Sequence, residues 1–143
     1  LAENVVETSR GTVIADGDVR ISTIEHAMAA LYAYEIDNCL IEVNAPEFPI
    51  LDGSSRFFSE EIQKTGVVEQ NAPKDYYIVK HKIEVKDEET GSSLIILPDD
   101  KFSVNVLISF DSPVLSNQFA TLNDLSEFPT ELAASRTFVF VAI

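Results

Sequence analysis

The 143-residue sequence is notable first for what it holds little of: one cysteine, one methionine, no tryptophan, two histidines and ten basic residues. A single cysteine, Cys39, forms no internal disulfide and excludes a zinc site built from several thiolates. It fits a reducing compartment, such as the cytoplasm. Ten basic residues against twenty-four acidic ones leave a formal net charge of −14. A chain this acidic repels phosphates, and without a basic stripe it is expected to bind no nucleic acid. No run of about 18 apolar residues occurs, so no membrane-spanning helix is expected. There is no glycine-rich phosphate loop, no G-x-S-x-G elbow, no H-E-x-x-H pair and no repeat of solenoid length.

What is present is a hydrophobic fraction of 45%, enough for a core, arranged in two patterns. Residues 3–23 alternate in short stretches around Asp16-Gly17, a hairpin signal between Val13-Ile14 and Val19–Ile21. ISTIEHAMAALYAY follows, with Ile24, Ala27, Met28 and Leu31 at helical spacing, and the helix ends at Ile36-Asp37-Asn38. Cys39–Val43 reads as a buried strand. NAPEFPILDGSS reads as a loop, with Ser54 or Ser55 capping a helix to Lys64 and Gly66 just past its end. Residues 67–75 read as a linker. Beyond it, YYIVKHKIEV, SLIILP and FSVNVLISF predict an antiparallel meander, with Gln118–Leu122 as a further short strand. LSEFPTELAASR predicts a short helix started by Ser126, with Pro129 in its first turn. The expected class is α+β. The chain starts at Leu1 and stops within the apolar run TFVFVAI, so it reads as an internal piece of a longer protein. Exposed edges in such a piece invite dimerisation or strand exchange, which a stable monomer in light scattering would exclude.

Few residues carry chemistry. Ser22 to Glu25 fits the S-x-x-E capping box, which by itself explains a glutamate at a helix start. The alternative is an acid/base beside a metal ligand, because His26 falls off the packed stripe, roughly opposite Met28. His81 shares a strand face with Tyr77, Val79, Ile83 and Val85, which predicts a packed histidine. Asp52-Gly53-Ser54 reads as a turn that opens a helix. Thr137, in ASRTFVF, carries no signal of its own, and Phe138 with Phe140 reads as core packing.

Taken together, several stretches resemble one family. DVRISTIEHAMAALYAYEIDNCLIEVNAPEFPILDGSS resembles the most recognisable segment of UDP-3-O-acyl-N-acetylglucosamine deacetylase, the zinc enzyme of lipid A synthesis in Gram-negative bacteria. ISFDSPVLSNQ and ASRTFVF resemble two later segments, in the same order. The resemblance implies a fold of duplicated two-layer α+β units with zinc at their junction. Residues 1–70 would end the first unit and 71–143 would begin the second. It implies Glu25 as general base, His26 as one of three zinc ligands, and Thr137 as a donor to the oxyanion. Phe110 and Phe138 would lie near the substrate, UDP-3-O-acyl-N-acetylglucosamine. The remaining ligands, a histidine and an aspartate, and a second acid/base histidine have no counterpart here, so the isolated chain is expected to be inactive. Val139 stands where the family often has glycine. Some relatives in the Bacteroidetes are fused to a hydroxyacyl carrier-protein dehydratase.

Overall fold

In a computed structural model, which describes residues 2–110 and 114–137, the Asp-Gly signal becomes a two-residue hairpin. β2 (Val13–Asp16) pairs with β3 (Val19–Ile21) in the register Asp16↔Val19 to Ile14↔Ile21. Gly17 takes φ +57°, a positive φ at the first central position that glycine adopts without a Cβ clash. β1 (Val5–Glu7) adds to the far edge of β2 with an irregular step between Val5 and Glu7, giving the order β1-β2-β3.

Helix α1 (Glu25–Ala33) leaves this sheet after Thr23, whose φ of +58° is unusual for a β-branched residue. Its deepest positions are Ala27 and Ala30. The buried stripe is therefore rotated from the predicted Ile24–Ala27–Met28–Leu31 line toward Ala30 and Ala33. Small residues let α2 (Arg56–Thr65) approach closely, and the Tyr34 and Ser59 hydroxyls hydrogen-bond at 2.8 Å between the two helices. α2 starts after Ser55, with the Arg56 N–H donating to Ser54 Oγ at 3.2 Å. It ends at Gly66, φ +76°, whose N–H donates to the Ile62 carbonyl.

Two expectations fail here for one physical reason, the lack of a partner strand. Cys39–Val43 forms no strand, Cys39 is exposed, and Leu40 is 87% exposed. Its composition favours a strand, but among the described residues none pairs with it. Nor do the later strands form a meander. Among the described residues β4 (Ile83–Lys86) pairs only with β5 (Ser93–Ile96), and β6 (Val104–Ile108) only with β7 (Gln118–Leu122). The Lys86↔Ser93 register, continued past Ile83↔Ile96, would set His81 opposite Pro98, which has no N–H to give a ladder. Tyr76–Lys82 accordingly lies outside any strand, and His81 is exposed rather than packed.

The core gathers Ala30, Leu122, Phe128 and Ala133, flanked by Phe58, Ile62, Val104 and Leu132. It thus joins α1 and α2 to the β6–β7 hairpin and to α3 (Phe128–Glu131), the short helix with Pro129 in its first turn. The cap before it differs from expectation. Asp124, not Ser126, is the capping residue: its carboxylate accepts from the Ser126 N–H at 3.0 Å and opens a 3₁₀ turn, Leu125–Glu127. Ser126 is the capped residue instead, giving both its N–H and its hydroxyl to Asp124 Oδ1. The architecture is α+β, and no helix among the described residues is long and apolar enough to cross a membrane.

Candidate functional site

Glu25 does not close a capping box. The helix starts at Ile24 with no side-chain cap, and Ser22 is engaged elsewhere. The Ser22 N–H donates to the Pro46 carbonyl at 3.0 Å, and the Phe48 N–H donates to the Ser22 carbonyl at 3.1 Å. Ser22 and Glu47 form a parallel bridge, and the Thr23 hydroxyl donates to Glu47 Oε1 at 2.7 Å. This stitching to the 44–48 loop holds Thr23 in its left-handed conformation and aims the first turn of α1. With Ser22 withdrawn, Glu25 turns to the segment ahead of β2. The Thr12 N–H donates to Glu25 Oε2 at 2.9 Å.

Half-buried His26 follows. Its Nδ1 is shielded from solvent and has no hydrogen-bond partner among the described residues. Leaving a buried polar atom unpaired costs roughly 1–3 kcal/mol. An unpaired imidazole nitrogen is a competent metal donor, so the residue fits the zinc ligand that the family resemblance implies. Among the described residues no cluster of three histidine, cysteine, aspartate or glutamate side chains forms around it.

Thr137 is placed by a different loop. Its N–H donates to the Gly53 carbonyl at 2.8 Å, and its Cγ2 lies 3.5 Å from where a Gly53 Cβ would sit. Gly53 has φ +81°, and neighbouring Leu51 is also left-handed at +52°. The loop is cross-braced through Asp52, which accepts from the Ser54 hydroxyl at 2.7 Å and pairs with Arg56 at 3.2 Å. The Ser54 hydroxyl, then Arg56 and Arg136, hold the Asp52 carboxyl below its ordinary range. Asp52-Gly53-Ser54 is therefore more than a helix-opening turn, because it docks the segment that carries Thr137. No hydrogen bond among the described residues links Thr137 to Glu25 or His26. Phe110 is half-buried two residues past β6, and Phe138 lies outside the described residues. His81 sits in a shallow depression lined only by its own stretch, Tyr77–Lys80 and Ile83.

The Thr12 N–H contact with Glu25 had no sequence signal, since a backbone donor leaves no mark on residue type. The Asp52–Arg56 pair was not readable from helical spacing, because Asp52 lies in the loop ahead of α2.

A family model for UDP-3-O-acyl N-acetylglycosamine deacetylase matches residues 1–142. The chain belongs to this deacetylase family. It is 62% identical over 141 residues to the bifunctional enzyme LpxC/FabZ of Bacteroides thetaiotaomicron, which covers 99% of the chain and 31% of that relative. It is 61% identical to the protein of the same name from Porphyromonas gingivalis, over 99% of the chain and 30% of that relative. It is 43% identical to the UDP-3-O-acyl-N-acetylglucosamine deacetylase of Teredinibacter turnerae, over 98% of the chain and 46% of that relative. The chain thus spans under a third of the bifunctional relatives and under half of the single-function one.

Proposed function

We propose that this chain carries part of the catalytic centre of a zinc-dependent deacetylase. The reaction is hydrolysis of the N-acetyl group of UDP-3-O-acyl-N-acetylglucosamine, in lipid A biosynthesis. The observation that supports this most is the adjacent pair at the start of α1: an imidazole nitrogen buried without a partner, beside a carboxylate released from capping and held by a backbone amide.

In this reading His26 supplies one protein ligand to zinc. When bound, zinc supplies the acidity that lets water attack at neutral pH and polarises the amide carbonyl. Glu25 accepts the proton of the attacking water and holds it near the reacting atoms. The Thr137 hydroxyl donates to the oxyanion of the tetrahedral intermediate, from a backbone fixed on the Gly53 carbonyl. Phe110 and Phe138 contact the substrate. The other zinc ligands and the second acid/base lie on residues beyond these 143, so the chain alone is inactive. Its segments 1–70 and 71–143 belong to successive α+β units. A free thiol and a nucleotide-sugar substrate fit a cytoplasmic enzyme. The bifunctional relatives favour a fused dehydratase in the full-length protein, which its coding sequence would show. Self-association of the isolated chain would use exposed Leu40 and Ile41, and light scattering reads it.

Elemental analysis tests the zinc assignment. The full-length protein should hold about one zinc, its His26→Ala variant almost none, and the dialysed 143-residue chain almost none. Unchanged zinc affinity in His26→Ala would remove the ligand assignment and the mechanism with it.

A further inference from the structure

We propose that the Gly11-Thr12 backbone is a positioning element for Glu25, and that the carboxylate adds to the backbone conformation in keeping position 11 glycine. The inference rests on the reading of Glu25 as general base.

Three observations carry it. The Thr12 N–H ties Oε2 at 2.9 Å, and the proposed base would take its proton on Oε1, to which no hydrogen bond runs among the described residues. A Cβ on Gly11 would stand 3.0 Å from Oε1, tighter than side-chain carbons tolerate without movement, and 3.7 Å from Cδ. The backbone favours glycine here as well, because φ at Gly11 is +159°, a conformation that L side chains rarely adopt. Gly17 is the comparison, also at positive φ (+57°) but with nothing within 4 Å of its Cβ position. Conformation favours glycine at both positions, and a carboxylate lies against only one of them.

The consequence is geometric. A glutamate on the first turn of a helix, uncapped, has three free side-chain torsions. The Thr12 amide stops one oxygen and the bare Gly11 Cα bounds the other, so the carboxylate is aimed before substrate arrives. A methyl at position 11 pushes Oε1 by a few tenths of an ångström or swings the carboxylate off the Thr12 amide. Misplacement of a reacting group by about 1 Å can cost on the order of 100-fold in rate.

The test compares Gly11→Ala and Gly17→Ala in the full-length protein loaded with zinc, with selective ¹⁵N-threonine labelling. Gly11→Ala should lower kcat about 10- to 100-fold. KM and zinc content should stay within about twofold, and the Thr12 amide proton should move upfield as its charge-assisted bond weakens. Gly17→Ala should lower the melting temperature and keep kcat. A folded Gly11→Ala protein with kcat within about twofold of wild type overturns the proposal. Should Gly11→Ala fail to fold, the Thr12 amide proton is compared between wild type and Glu25→Gln. An upfield move supports the contact, and an unmoved resonance overturns it. Full activity in Glu25→Gln would remove the base reading, and the positioning role with it, while the Thr12 resonance would still register the contact.

Discussion

The Tyr34–Ser59 hydrogen bond lends itself to a double-mutant cycle, because its two ends are buried to different depths. Ser59 is 2% exposed on α2, whereas Tyr34, just past α1, is only half-buried. Tyr34→Phe strands the Ser59 hydroxyl where water cannot reach it, which costs about 1–3 kcal/mol. Ser59→Ala strands a phenol that can still find solvent, which costs about 0.5–1.5 kcal/mol. The double variant leaves no orphan at all, so it should be little worse than Ser59→Ala alone. The coupling energy is then close to the cost of Tyr34→Phe itself, about 1–3 kcal/mol, within the range for residues in contact. Urea melts of the four proteins measure it, and each kcal/mol also lowers the melting temperature by about 2–4 °C at this size. The reasoning is refuted if Tyr34→Phe costs less than about 0.5 kcal/mol. Ser59 would then have turned to the Ser55 carbonyl one turn back, a bond serines make in helices, and the contact between α1 and α2 would rest on packing alone.

Two further outcomes concern the loop that carries Thr137. Gly53→Ala forces an L-residue into φ +81° and should destabilise by about 1–2 kcal/mol, with faster hydrogen exchange at the Thr137 amide. Asp52 should make the loop acid-sensitive. Its folded pKa is lowered, first by the Ser54 hydroxyl, so the ionised carboxylate contributes stability that is fully present above its ordinary value and lost as pH falls through the lowered one. The melting-temperature difference between wild type and Asp52→Asn should therefore shrink on acidification below about pH 4. A difference that stays constant through that range would mean the carboxylate's charge is not what braces the loop.

How much could be read beforehand follows the range of the interactions. The Asp16-Gly17 hairpin, the Gly66 helix end and Pro129 in a first turn depend on neighbours within a few residues, and all appear where expected. The Gln118–Leu122 strand also appears, because β6 is there to pair with it. Cys39–Val43 and Tyr76–Lys82 depend on a distant partner strand, and composition does not say whether one exists. The site divides the same way. His26 was readable as lying off the packed stripe, but its orphaned nitrogen was not. Glu25 fitted a local cap by spacing, yet Ser22 is captured by Pro46 and Phe48, so a tertiary contact defeats the motif. Thr137 was legible only through resemblance, since what fixes it is a carbonyl far away in the chain. Family likeness supplied the roles, and only coordinates supply the contacts that hold those residues in place.

Among the described residues the most enclosed side chains are all small: Ala30, Ser54, Ala133 and Ser59 have at most 2% of their surface exposed. That constrains how the sequence can drift over evolutionary time. Where backbones meet with only a methyl or a hydroxymethyl between them, nearly every substitution adds volume, and overpacking costs about 1–3 kcal/mol. Such sites are held not by what they contribute but by what they leave out. Lineages of this family should vary freely at the many exposed valines and leucines while these four positions exchange only among glycine, alanine and serine.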